Sequence, residues 1–205
     1  ETANKTTNLT RITEKADFLD KHVYDALLAL PHLPDDVEGP WVDVGSGCGV
    51  PGLLLAIARP ARELILVESH GRKAGFLEDV VRALGLHASV LAQRAELVGR
   101  SPRREQCAAA MTRAVGSVAA CLELTLPLVR PGGLTVLYRG PRHREAELKE
   151  ATGVGALLEG GPPEQIDRVL PSGAERTLLL LQKKAPCSEL YPRRDGLPAH
   201  QPLQG

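Results

Sequence analysis

The stretch WVDVGSGCGVPGLLLAIARP, residues 41–60, decides the fold. An apolar strand runs into three glycines at alternate positions, Gly45, Gly47 and Gly49, and Pro51 then opens a helix. Glycine frees the backbone to turn tightly and lets a ligand approach it closely. Proline suits the first helical turn, where its missing N–H loses nothing. The helix start behind the loop is expected to offer unpaired N–H groups and the positive end of the helix dipole. The stretch therefore reads as a nucleotide-holding turn, and which nucleotide it holds is the question it raises.

Strand-like and helix-like segments alternate on either side. ELILVES (residues 63–69) is a second strand closed by an acid, and GRKAGFLEDVVRALGL carries Ala74, Leu77, Val81 and Leu84 at helical spacing before Gly85. ASVLAQRAE reads as a third strand and QCAAAMTRA as a fourth; SVAACLELTLPLVRPGG reads as a helix ending in a Pro-Gly-Gly turn, and LTVLYRG as a fifth strand. DRVLPSGAERTLLLLQKK reads as a hairpin around residues 171–173. Strands alternating with helices predict an α/β, Rossmann-like domain. Its sheet is expected to be mostly parallel and seven-stranded, with helices on both faces and an antiparallel hairpin at one edge. We expect an N-terminal helical segment over residues 1–36, the α/β domain over 37–186, and a Pro-rich basic tail over 187–205, extended and partly disordered. The chain opens at Glu1 rather than Met, in mid-pattern, so a preceding piece is expected.

Bulk properties narrow the partners. Lys+Arg 25 balances Asp+Glu 25, so no overall field draws the 205-residue chain to a polyanion, and any such contact must come from a local patch. Aromatics are only 3%, which argues against base stacking as the main way of holding RNA. Cys48, Cys107, Cys121 and Cys187 form no CxxC pair, so neither a metal site nor a disulfide framework is expected. No apolar run reaches membrane-spanning length. A cytoplasmic monomer is the expectation.

From Gly47 the loop also spells GxGxxG (Gly47, Gly49, Gly52), the dinucleotide fingerprint, which alone is a weak signal. Asp43, two residues before Gly45, extends it to DxGxGxG, the pattern of S-adenosylmethionine (SAM) methyltransferases. A carboxylate there can hold the loop and, through water, face the cationic end of SAM; a plain capping carboxylate is the competing account. Glu68 closes the second strand, where an acid grips ribose hydroxyls in either cofactor class. Ala95 and Glu96 follow the third strand, placed to meet the adenine edge, and Arg113 follows the fourth, beside the expected methyl donor. Arg139, Arg142, His143 and Arg144 cluster after the fifth strand as a candidate RNA patch, with Glu145 and Glu147 as competing partners. Arg100, Arg103 and Arg104 read as a solvated loop. His22 and Asp25 share a helix face at i, i+3 and are expected to hydrogen-bond each other.

The chemistry is narrowed by what is missing. The position after the fourth strand reads TRAVG, without the [DNS]PP[YFW] motif of base amino-group methylation, and neither Cys107 nor Cys121 sits where a carbon-5 nucleophile would. Nothing supplies an obvious general base. Guanine N7 needs none, since its lone pair attacks the sulfonium methyl without losing a proton. A SAM enzyme acting on a small molecule or protein, or a non-catalytic nucleotide-binding module, stays open on the residues alone.

NLTRIT (residues 8–13), KHVYDALLAL with His22 and Asp25, DVGSGCGVPGLLLAIARP, VESHGRKAGFL, RAE, TRA and YRG follow one another along the chain. In order and spacing they resemble the RsmG (GidB) family, bacterial 16S ribosomal RNA guanine-N7 methyltransferases; YPRRDGLPAHQPL resembles its cyanobacterial branch. The resemblance implies a class I SAM-dependent methyltransferase fold, SAM as cofactor, and 16S rRNA or the small ribosomal subunit as partner. Matched motif by motif, it implies SAM contacts at Gly45 and Val50, at Glu68, Ser69 and His70, at Ala95 and Glu96, and at Arg113. It leaves no certain catalytic residue, Arg113 and Arg139 being positioning candidates, and it assigns no metal. Departures are Val50 for a bulkier residue, Glu68 for aspartate, Arg139 for lysine and Ala3 for a tryptophan.

Overall fold

A computed structural model describes residues 14–113, 115–141 and 144–205. NLTRIT, Ala3, Arg142 and His143 lie outside the described residues. Seven strands form one sheet: β1 (Trp41–Val44), β2 (Leu64–Val67), β3 (Ala88–Leu91), β4 (Cys107–Arg113), β5 (Val129–Arg139), β6 (Glu164–Val169) and β7 (Glu175–Gln182), in the order β3-β2-β1-β4-β5-β7-β6. The first five pair in parallel, and β7 runs antiparallel to both β5 and β6. The expected sheet and its edge hairpin are both present.

The helices are α1 (Gly52–Ala58), α2 (Gly71–Leu84), α3 (Ala95–Gly99), α4 (Val118–Thr125), α5 (Arg144–Leu157) and α6 (Leu197–His200). They follow an N-terminal helical segment, Lys15–Phe18, a π-helical stretch Leu19–Tyr24, and Asp25–Leu27. β1 and β2 are buried at every position, the signature of parallel strands covered on both faces. Alternation on β7 divides the core: Leu178 and Leu180 pack with Ala29, Leu33, Leu55 and Ala56 on one face, while Leu179 and Leu181 pack with Val118, Leu122, Ala151 and Val154 on the other. All eight residues of α4 are buried, as befits a helix enclosed between the sheet and α5. Ser117 caps it, its hydroxyl accepting from Ala120 N–H at 3.2 Å.

Four readings differ from the structure. The third strand stops at Leu91, and Ala95 and Glu96 begin α3, with Arg94 as its extended first cap. Residues 131–133 are not a turn after a helix. Helix α4 ends at Thr125 and β5 begins at Val129; Cys107 pairs Val129 and Ala109 pairs Leu134, so residues 130–133 form a bulge opposite Ala108. Gly133 allows it, because a Cβ there would lie 2.5 Å from the Ala108 carbonyl oxygen. Helix α5 is not legible in the sequence because REAELKEATGVGAL has polar residues and glycines where a clear apolar stripe would announce it.

The fourth difference is the tail. Residues 187–205 lack long elements, yet they are tied down on the domain rather than loose. Arg104 donates to the carbonyls of Tyr191 at 2.6 Å, Cys187 at 2.8 Å and Ser188 at 3.0 Å. Arg100 donates to the Arg193 carbonyl at 2.7 Å and pairs with Asp195 at 2.6 Å. These two arginines therefore do not form a solvated loop. Arg193 grips Glu123, which is fully buried on α4, through its backbone N–H at 2.8 Å and its guanidinium at 2.7 Å.

Candidate methyl-donor and acceptor site

The turn after β1 is held by its own neighbours. Gly45 and Ser46 N–H both donate to the Val67 carbonyl, at 2.9 and 3.0 Å, which ties the loop to the end of β2. Gly45, Gly47 and Gly49 all have positive φ. At Gly45 (φ +74°) a Cβ would also lie 2.6 Å from Val115 Cγ2, so no other residue fits.

Asp43 lies beneath this loop, with no exposure to solvent. Its Oδ2 accepts from Gly52 N–H at 3.0 Å, and Leu53 N–H donates to the Gly49 carbonyl at 2.8 Å. The start of α1 is thus already capped, and the expected open N–H groups are occupied. Gly52 is needed there because a Cβ would lie 2.7 Å from Asp43 Oδ2. The other oxygen of Asp43 is buried with no hydrogen bond. Burial pushes its carboxyl up to about 6, against the opposing pull of the Gly52 N–H. Asp43 lines neither cavity described below; it acts on the site through the loop and through its field.

Glu68 closes the loop from the β2 side. Its Oε2 accepts from Gly47 N–H at 2.8 Å and its Oε1 from His70 N–H at 2.7 Å. Each carboxylate oxygen keeps a further lone pair with which to accept ribose hydroxyls. Beside this layer, at the carboxyl ends of β1 to β4, lies a cavity of about 160 Å³. Gly45, Ser69, Ala95 and Glu96, four of the residues expected to touch SAM, line it together with Gln93, Arg94, Val115, Leu124 and Ala199. Gly47, Gly49, Val50, Glu68 and His70 form the adjoining loop layer. Small and apolar residues with a carboxylate at either end fit an adenosine and its ribose, so the residues present suit SAM.

Glu96 is 2% exposed, and its Oε1 accepts from Arg94 at 2.9 Å and from Gly196 N–H in the tail at 2.8 Å. Burial alone would push this carboxyl up, but the Gly196 N–H and Arg94 hold it below its ordinary value.

A second cavity, about 400 Å³, opens at the ends of β4, β5 and β7 and is lined by Lys21, His22, Asp25, Arg113, Tyr138, Arg139, Gly140 and Arg176. His22 and Asp25 do not bond each other there. Both hold Arg113, whose guanidinium pairs with Asp25 Oδ2 at 2.8 Å and His22 Nδ1 at 2.8 Å and also donates to the Lys21 carbonyl at 3.0 Å. Burial, then the nearby Arg113, lowers the His22 pKa, which keeps the imidazole neutral and able to accept. Arg176 approaches the opposite Asp25 oxygen at 3.3 Å. Arg139 bonds the Gly116 carbonyl at 2.8 Å and pairs with Glu147 on α5.

Arg144 stands apart from this cavity, with Glu175 at 2.7 Å and Asp167 at 3.5 Å. Lys21, Tyr138 and Arg176 were not singled out from sequence. The i, i+3 spacing of His22 and Asp25 was the available signal for the first, and no local pattern marks Arg176 or Ala199. Among the described residues no His/Cys/Asp/Glu group could hold a metal.

This sheet order, glycine loop and strand-end cavity define a class I SAM-dependent methyltransferase. The fold is similar to geranyl diphosphate C-methyltransferase from Streptomyces coelicolor A3(2), with a TM-score of 0.60, 15% identity and 78% of each chain covered. It is also similar to P. horikoshii TYW2, with a TM-score of 0.58, 14% identity, and 83% of this chain and 64% of that one covered. The family model described as rRNA small subunit methyltransferase G matches residues 1–161. Proteins named ribosomal RNA small subunit methyltransferase G are 40% identical over 98% of this chain and 85% of theirs in Moorella thermoacetica, and 42% identical over 98% and 84% in Synechococcus elongatus. The chain belongs to the rRNA small subunit methyltransferase G family.

Proposed function

We propose that this chain transfers the methyl group of SAM in line to guanine N7 of 16S ribosomal RNA, leaving S-adenosylhomocysteine. The observation that carries the reading, alongside family membership, is the pair of cavities along one sheet edge. One is small-walled and suits the donor. The other is ringed by Lys21, Arg113, Arg139 and Arg176 and suits a nucleotide of a polyanion. SAM, when bound, supplies an electrophilic sulfonium methyl.

The protein's part is alignment and electrostatics. Glu68 and the loop hold the donor's ribose, Glu96 meets its adenine, and Arg113, fixed on three sides, orients donor and acceptor. Cys107, Cys121 and Tyr138 are not poised as bases or nucleophiles. Burial pushes Cys107 to about 12 and Cys121 to about 11, and pushes Tyr138 well above its ordinary range while its hydroxyl donates to the Ala26 carbonyl at 2.6 Å. An acceptor with a free lone pair and no proton to lose matches that set. Arg139 and Arg142 then meet RNA phosphate, with a smaller share for Arg144, whose charge is shared with Asp167 and Glu175.

In a chain of balanced charge this local basic rim favours structured rRNA, naked or in the small subunit, over any polyanion at large. A cytoplasmic monomer suits that substrate, and no helix among the described residues is long and apolar enough to cross a membrane. The test is a map of N7-methylguanine in ribosomal RNA from cells with and without the gene. Loss of one mark is expected; an unchanged map would defeat the substrate assignment.

A further inference from the structure

The tail reaches the donor cavity at two points. Ala199 lines it directly, and Gly196 N–H holds Glu96. Both hydrogen bonds to Glu96 fall on Oε1. Its Oε2 accepts none among the described residues, yet is not one of the buried atoms left without a partner, so it remains open on a residue that lines the cavity. The strap that presents Gly196 is anchored on both sides by Arg100 to Asp195 at 2.6 Å and Arg193 to the Gln201 carbonyl at 2.7 Å, with Arg193 itself seated on buried Glu123. Gly196 has φ +78°, a conformation that L side chains rarely adopt, and that backbone turns its N–H onto the carboxylate.

A carboxylate oxygen only accepts hydrogen bonds. Adenine presents an amino donor at carbon 6, whereas a 6-oxopurine presents a carbonyl acceptor at the same place. Two acceptors facing each other leave both unpaired, which a site of this kind rejects strongly. We propose that residues 187–205 form a wall of the donor site, and that Gly196 N–H, by fixing Glu96, makes the site select 6-aminopurine over 6-oxopurine sulfonium nucleosides and their thioether products. This rests on the cavity being the SAM site.

The experiment is calorimetry on the full chain with S-adenosylhomocysteine and with its deaminated analogue S-inosylhomocysteine, with thermal melts alongside. The wild-type protein is expected to prefer the adenosyl compound by about tenfold or more, the loss from one unpaired buried polar group. Gly196→Pro, which lacks the donor and whose ring holds φ at about −65° so that the strap turn is lost with it, should shrink that ratio several-fold. Ala199→Leu, which keeps the donor and fills the cavity, should weaken both compounds by about tenfold at an unchanged ratio, with the melting temperature held within a few degrees. If the wild-type protein binds the adenosyl compound and both variants keep its affinity and ratio, the strap is no part of the site and the inference falls alone. If the wild-type protein binds neither compound, the donor reading falls with it.

Discussion

The two cavities at the carboxyl edge of the sheet are built by opposite means. The smaller cavity, about 160 Å³, is walled mostly by backbone, small and apolar residues with Gln93 and Arg94 beside them, and the carboxylates around it are held chiefly by the N–H groups of Gly47, His70 and Gly196. The acceptor cavity, about 400 Å³, is made of long charged side chains that hold one another, with Arg113 fastened to His22 and Asp25. A donor that is the same molecule at every turnover is met by fixed backbone geometry. A polyanionic acceptor is met by guanidinium groups, whose planar donors suit phosphate and base edges. Arg113, at the end of β4, lines the larger cavity, and Val115, two residues on, lines the smaller one.

Arg193→Ala should have the largest effect, because it strips the fully buried Glu123 carboxyl of its guanidinium partner and leaves it only the residue-193 backbone N–H. Urea denaturation is expected to show a loss of about 3–5 kcal/mol. A loss below ~1 kcal/mol would mean that the strap wall of the donor cavity is not fastened there.

The next effect is read from pH. Asp43 titrates near 3.8 unfolded and about 6 folded, so between those values the folded state holds more proton, and stability must fall as pH rises. Measured against Asp43→Asn, the wild-type protein should lose about 2–2.5 kcal/mol from pH 4 to pH 7, since each tenfold difference in proton affinity between the two states is worth ~1.4 kcal/mol and the unfolded aspartate is already partly ionised at pH 4. Parallel curves would place a solvated charge under the loop.

Arg113→Lys keeps the charge but cannot span His22 Nδ1 and Asp25 Oδ2 together. Methylation assays should show kcat/KM down by about 10- to 100-fold, with the larger share in kcat if Arg113 orients the reacting groups. Retention of full activity would show that charge alone suffices at the junction.

Arg144→Ala should do least. Its partners Glu175 and Asp167 are largely exposed, so the stability change is expected within ~1 kcal/mol, and binding to ribosomal RNA should weaken by less than for Arg139→Ala. The reverse ranking would move the RNA surface from the cavity to the outer face of α5.

The loop is where sequence reading succeeded. Three alternate glycines and Asp43 could be placed because strand, turn and helix follow one another within residues 41–60, and local chain geometry limits what such a run can do. Gly45, Ser69, Ala95 and Glu96 come together around one cavity on the same logic, since every parallel strand must end at that edge. Reading failed where contacts span the chain. Helix α5 has no apolar stripe to announce it, and the arginines at 100 and 104 looked solvated because their partners in the tail lie 83 to 95 positions away in sequence.

The alternation of apolar strands and helices determined the sheet, and the glycine spacing determined the tight turn after β1, because both are consequences of local backbone stereochemistry. Tertiary structure alone decided that Asp43 caps a helix beneath the loop, that Ala199 of the tail lines the smaller cavity while Gly196 holds Glu96, and that Arg176 joins Lys21, His22 and Asp25 around Arg113. The reason is physical: hydrogen bonds and ion pairs form wherever folding brings donors and acceptors within about 3 Å, and sequence separation does not enter that distance.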